Sequence, residues 1–133
     1  MSMLRLASRH SVVFSRSIAP LAVRHSSHEA AETYEAFNAR YESFFSSASD
    51  LFEVQRGLNN CFAYDLVPSQ AVVEAALKAA RRVNDYSTAV RIFQGLKEKT
   101  GSASVYAQYV EATAPLRKEL GVDLYEELYP EAK

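Results

Sequence analysis

Residues Ser69 to Thr100 read SQAVVEAALKAARRVNDYSTAVRIFQGLKEKT, and this stretch decides the fold class. Val73, Ala76, Leu77, Ala80 and Val83 recur at the spacing of one helix face, with no strand-like alternation. Ser69, directly after Pro68, is a good N-cap for that helix. Its many alanines predict close approach to a neighbouring helix. Asn84-Asp85 makes a turn, Asp85 caps the next helix, and Ala89, Ile92, Phe93 and Leu96 line the inner side of that helix. Lys97 and Lys99 in its last turn suit the negative end of the helix dipole, and Gly101 ends it. The unit from Leu66 to Thr100 has about the length of a tetratricopeptide repeat, but it is not repeated with convincing self-similarity.

The same periodicity extends in both directions. Upstream, Tyr34, Phe37, Tyr41, Phe44 and Phe45 form one aromatic stripe on one helix, suited to the core of this domain or to burial on another subunit. Ser46-Ser47-Ala48-Ser49 interrupts it, and Asp50 with Glu53 makes an acidic variant of the capping box. A second helix is expected from Leu51 to about Tyr64, burying Leu51, Val54, Leu58, Cys61 and Phe62. Downstream, a fifth helix carries Tyr106, Tyr109, Val110, Leu116 and Leu120. Pro115 within it would clash with the carbonyl of Glu111, which predicts a kink or break. Gly121 closes that helix, and Asp123 with Glu126 caps a short terminal turn before Pro130. The expected fold class is therefore all-α, with about five main helices whose short connections make sequential helices antiparallel neighbours.

The chain has 133 residues, 48% hydrophobic and 23% charged, which fits one soluble globular domain with a modest core. Its net charge of −1 hides two unlike parts. All 16 acidic residues lie at or after Glu29, whereas the charged residues before it are Arg5, Arg9, Arg16 and Arg24. Eleven basic and 16 acidic residues remain after residue 28, a net charge of −5. An opening segment rich in arginine and serine and free of acidic residues has the composition of a mitochondrial transit peptide. Leu4, Val12, Phe14 and Ile18 supply the apolar surface of an amphipathic helix. The longest apolar stretch there, Ile18 to Val23, is short and contains Pro20, which disfavours a secretory signal. Arg24-His25-Ser26 fits a cleavage site, so the expected organisation is a transit peptide at 1–25 and an all-helical domain at 26–133. No segment reaches the length of apolar residues that a membrane span needs.

Catalytic constellations are not visible after residue 28. His10, His25 and His28 all lie in or beside the leader, so the domain is left without the residue most used for proton transfer or haem ligation. Cys61 is the single cysteine, on the apolar side of its helix, and reads as a buried structural thiol. Glu126-Glu127 and the pair Asp50 and Glu53 stand at helix starts, where capping accounts for them. The four glycines are isolated, so no phosphate-binding loop is formed. We therefore expect no enzyme, no cofactor-binding and no metal-binding residues.

One charge cluster stands out: Lys78, Arg81 and Arg82 at i, i+3 and i+4, with Arg91 on the following helix. A solvated face accounts for such a pattern; so does a partner-docking patch, since arginine is a common interface anchor. Nucleic-acid binding is not expected, because the domain is net acidic and lacks a continuous basic stripe.

The residues also resemble a known family, cytochrome c oxidase subunit Va of animals, called subunit 6 in fungi. The similarity rests on Leu51-Phe52-Glu53-Val54-Gln55-Arg56, Leu58-Asn59-Asn60-Cys61 and Tyr64-Asp65-Leu66-Val67-Pro68. It continues through Ala79-Ala80-Arg81-Arg82-Val83-Asn84-Asp85, Ala89-Val90-Arg91-Ile92, Glu119-Leu120-Gly121 and Glu126-Glu127-Leu128. Asn59-Asn60-Cys61-Phe62 and Leu128-Tyr129-Pro130 give it a fungal character. The resemblance implies helices wound as a right-handed superhelix, bound peripherally on the matrix side of the mitochondrial inner membrane as part of complex IV of the respiratory chain. It implies no cofactor in this chain, haem a and copper being held by the large subunits. The implied partners are other oxidase subunits, especially the neighbouring nuclear-encoded one (IV in animals, 5 in fungi). The implied role is assembly, stability and regulation of electron transfer from cytochrome c to oxygen. The competing reading is a free-standing helical-repeat adaptor binding a peptide or RNA, which normally needs about three or more stacked units. By this resemblance Arg81, Arg82, Asn84, Asp85 and Arg91 maintain the fold or dock the partner, with Asn84-Asp85 a structural turn first.

Overall fold

A computed structural model describes residues 31–131. The expected transit peptide, its arginines and all three histidines lie outside the described residues. Six helices follow in order: α1 (Tyr34–Ser47), α2 (Leu51–Ala63), α3 (Gln70–Arg82), α4 (Tyr86–Thr100), α5 (Ala103–Leu120) and α6 (Tyr125–Leu128). No strand occurs among the described residues, so the all-α expectation holds.

Helix α3 is the centre of the packing. Val72, Val73, Ala75, Ala76, Leu77, Ala79 and Ala80 are all buried, and α1, α2, α4 and α5 each pack against it. The short alanine side chains permit this, because they let several helices approach one axis at once. The sequential-neighbour expectation needs one correction. α1 does touch α2, but its main partner is α3. The aromatic stripe explains this: Phe37, Tyr41 and Phe45 are buried in the shared core. Those three members of the stripe are consumed within the domain, Phe44 is half-buried against the core, and Tyr34 is exposed. From α4, Ala89, Ile92, Phe93 and Leu96 complete the core as the periodicity predicts.

Of the kink or break expected at Pro115 the structure excludes the break, and it overturns one expected cap. Pro115 does not break α5, which runs unbroken from Ala103 to Leu120. Proline removes one intrahelical donor, but Glu111 and Pro115 both lie on the exposed side, where water can satisfy the freed carbonyl. The terminal turn is capped one residue later than expected. Leu124 is the N-cap, and the Glu127 carboxylate accepts from the Leu124 N–H at 2.7 Å. Asp123 instead accepts from the Tyr86 hydroxyl at 3.0 Å, a long-range partner that local capping rules do not anticipate.

Helices α1 and α2 have no basic residue in their own last turns. Their C-terminal carbonyls receive cations from elsewhere. Arg82 of α3 donates to the carbonyls of Phe45 and Ala48 at the end of α1. Lys99 of α4 donates to those of Phe62 and Tyr64 at the end of α2. Lys99, in the last turn of α4, thus also serves the end of α2, and Lys97 pairs with Glu126 at 2.7 Å. Both lysines do lie in the last turn of α4, as the sequence predicts, and what the sequence did not show is where their side chains go.

Candidate docking surface

On α3 the solvent-facing residues form one line: Gln70, Ala71, Glu74, Lys78, Arg81 and Arg82, with Glu74 half-buried and the rest exposed. The remainder of the helix is covered by its neighbours, so the three expected basic residues share the single open face of the central helix. Glu74 at one end accepts from Gln70 at 2.7 Å. Lys78 and Arg81 take part in none of the ion pairs found among the described residues.

The neighbouring arginines behave differently. Arg82 Nε donates to the Ala48 carbonyl at 2.9 Å and its Nη2 to the Phe45 carbonyl at 2.7 Å. Its guanidinium is thus spent on the α1–α2 junction and holds two backbone acceptors that α1 leaves unpaired. Arg81 makes only a long 3.4 Å contact with the Asn84 side chain. Arg91 is exposed on α4, in line with Ser87, Gln94 and Glu98 rather than on the buried side. The structure therefore brings Lys78 and Arg81 together as open cations, commits Arg82 to the scaffold, and leaves Arg91 on the adjoining helix.

Asn84 and Asp85 form the α3–α4 turn. Asn84 has φ 58°, in the left-handed region. The Asp85 N–H reaches back to the Ala80 carbonyl at 3.0 Å and the Asn84 N–H to that of Arg81 at 3.1 Å. Together these make a Schellman ending in which asparagine takes the place usually given to glycine. Asp85 then accepts from the hydroxyls of Ser87 at 2.9 Å and Thr88 at 2.6 Å. Those bonds, that from Thr88 foremost, hold its carboxyl below the usual carboxylate range. The turn sets the point at which Arg81 leaves α3 and Arg91 begins to follow on α4.

Three surface features escaped sequence reasoning. Arg40 is gripped bidentately by Glu32, at 2.8 and 2.6 Å, and stacks 4.5 Å from the centre of the Tyr41 ring and 5.3 Å from that of Tyr64. This arrangement raises the Arg40 pKa and lowers that of Glu32. The partners are eight residues apart, outside any helical spacing rule. Lys99 is the second. The third is Phe52, 76% exposed at the second position of α2, and the outward phase of the helical period there was the available signal. Cys61 is 1% exposed, and burial pushes its thiol up to about 11, in keeping with a core role. Among the described residues no group of His, Cys, Asp and Glu converges to hold a metal ion, and no helix is long and apolar enough to cross a membrane.

Comparison with known proteins decides the family. The family described as Cytochrome c oxidase subunit Va matches residues 30–130. The chain belongs to the cytochrome c oxidase subunit Va family. Among relatives, it is 60% identical to cytochrome c oxidase subunit 6, mitochondrial, of Neurospora crassa over 100 residues, 75% of this chain and 68% of that protein. It is 59% identical to the protein of the same name from Saccharomyces cerevisiae, over 74% of this chain and 67% of the yeast protein. Cytochrome c oxidase subunit 5A, mitochondrial, of Rattus norvegicus is 38% identical over 86% of this chain and 80% of its own. The subunit Va family match covers every helix described here. Membership in a family of oxidase subunits does not favour the free-standing adaptor.

Proposed function

We propose that this chain is a non-catalytic subunit of mitochondrial cytochrome c oxidase, respiratory complex IV. The observation that carries the reading is the family match from residue 30 to residue 130, with about 60% identity to two fungal proteins named as subunit 6 of that oxidase. In this reading residues 1–25 are a cleaved mitochondrial leader and residues 26–133 are the mature subunit. It lies peripherally on the matrix side of the inner membrane and supports assembly, stability and regulation of electron transfer. Haem a and copper belong to other subunits.

The docking partner we propose is the neighbouring nuclear-encoded subunit (IV in animals, 5 in fungi). Lys78 and Arg81 are the contact residues best supported by their free, exposed cations on the open line of α3, with Arg91 beside them. Arg82 acts at one remove, through its hold on the α1–α2 junction.

Native gel electrophoresis of gently solubilised mitochondria tests the reading, with the protein detected beside an oxidase activity stain. Co-migration with active oxidase, and loss of that band on depletion of the chain, is the expected result. Migration only as a small free species, with oxidase intact after depletion, would overturn it.

A further inference from the structure

Helix α5 has a second face. It is the longest helix among the described residues, 18 residues, yet Thr113 is its only fully buried residue. Tyr106, Tyr109, Leu116 and Leu120 are half-buried, packed against the core. On another side Ala103, Ala107, Val110 and Ala114 recur at i, i+4, i+7 and i+11 and floor an open apolar groove of about 510 Å³. Leu124 contributes to its wall. Short side chains at this spacing form a shallow seam into which the ridge of another helix fits at close range.

The charges lining the groove are equal in number, Lys97 and Arg117 against Glu111 and Glu126, but they are not equally partnered. Lys97 is neutralised by Glu126 at 2.7 Å, and Arg117 lies 3.5 Å from Glu127. Glu111 is exposed, borders the groove and takes part in none of the ion pairs found among the described residues. With Glu127 counted beside Arg117, the charge left unpartnered at the seam is the carboxylate of Glu111. An extended peptide fits poorly, since it would bring unpaired backbone N–H and C=O groups to a face of alanine side chains. A helix has already satisfied its backbone. A second copy of this chain would bring the same unneutralised carboxylate and the same net negative domain, and an anionic lipid surface would be repelled.

We propose that the α5 groove seats an amphipathic helix of another oxidase subunit, with small apolar residues against Ala103–Ala114 and a lysine or arginine against Glu111. The inference rests on the subunit reading above and adds a face distinct from the basic line of α3. Ala107 is exposed, and Cys61 is a buried thiol of raised pKa, so the full-length variant Ala107→Cys offers one readily reactive cysteine. Maleimide labelling is compared between the free protein and the active oxidase band, beside the variants Ala107→Arg, Ala107→Ser and Glu111→Lys.

The expected result is labelling at least about tenfold slower in the assembled oxidase than in the free monomer. Ala107→Arg and Glu111→Lys should lose most of the co-migrating fraction while melting like the parent, and Ala107→Ser should retain it. Equal labelling in both states, or full incorporation of Ala107→Arg, would overturn the groove and leave the subunit reading standing. A free chain that is already dimeric and protected would assign the groove to a second copy, also overturning the proposal. If the parent chain itself stays out of the oxidase band, both readings fall.

Discussion

The Arg82 guanidinium ends on the carbonyl of Ala48, 34 residues upstream, with Nε 2.9 Å from the acceptor. A side chain leaving the last turn of α3 thus closes the last turn of α1, and the two helices with the most extensive mutual packing are pinned at one end. Arg81, one position earlier, has no such duty. The pair separates scaffold from surface. We expect Arg82→Ala to cost about 1.5 kcal/mol, the low end for hydrogen bonds to a charged group, because the site is partly wet. Arg81→Glu, in the last turn of α3, and Lys78→Glu should each cost less, about 0.5 kcal/mol or a few degrees of melting temperature, yet reduce incorporation into the oxidase. Thermal melts paired with native gels check both, and equal destabilisation by Arg81→Glu and Arg82→Ala would contradict the separation.

Gly57 is buried where α2 crosses α1. A Cβ there would intrude on the Phe44 ring, 2.9 Å from Cδ1, and lie 3.0 Å from Phe45 Cε1. On helix propensity alone, Gly57→Ala would gain about 1 kcal/mol. Here the clash should win, giving a net loss of about 1–2 kcal/mol. Urea unfolding decides the sign, and a stabilised variant would mean that half-buried Phe44 swings aside.

Asn84 holds φ 58°. Asn84→Gly should be close to neutral, relieving the left-handed backbone while losing the contact to Arg81. Asn84→Val should lose about 1–2 kcal/mol, because a β-branched residue tolerates this region poorly. Paired urea titrations of the two variants test the order, which is more informative than either value.

Cys61 should resist alkylation. At pH 7.5 a thiol pushed up to about 11 leaves on the order of one molecule in a thousand, or fewer, as thiolate, and the side chain is buried besides. Labelling of the folded protein is expected to follow global opening and to accelerate sharply in urea. Rapid labelling in buffer would remove Cys61 from the core.

Stability should fall on acidification. Glu32 and Glu126, ordinarily near 4.5, and Asp85, ordinarily near 3.8, are all held lower in the folded chain, by Arg40, Lys97 and the Thr88 hydroxyl respectively. The unfolded chain therefore binds more protons, and the contribution of these groups is present above their unfolded values and lost as pH drops through the folded ones. Urea midpoints should hold steady from pH 7 to about 5 and decline below about 4.5. Glu126→Gln should flatten part of that decline. A midpoint that rises between pH 5 and 4 would refute the assignment.

Much of this was legible along the chain because the deciding forces are local and periodic. The inward positions of α3 and α4 follow from a 3.6-residue period, so Leu77, Ala80, Ile92 and Phe93 could be placed in the core directly. The Asn84-Asp85 turn was legible because short polar side chains compete with the helix backbone. The same rules misassigned Asp123 and missed the partners of Lys99, since in both cases the partner lies 37 residues or so away. They left open whether Pro115 breaks its helix, because that depends on whether the freed carbonyl meets water. For the candidate docking residues, sequence spacing grouped Lys78, Arg81 and Arg82 on one face, which the structure keeps, but could not assign them separate roles.

By itself the sequence determined the all-α class, the helix order and the family, since helix period, capping residues and residue identity are properties of the chain read in order. Only the tertiary structure decided that α1 lies chiefly on α3, that Arg82 and Lys99 close the ends of other helices, and that α5 keeps an open face. Those outcomes depend on which surfaces meet across 30 or more residues, and a guanidinium or ammonium goes to whichever unpaired carbonyl the packing brings within reach.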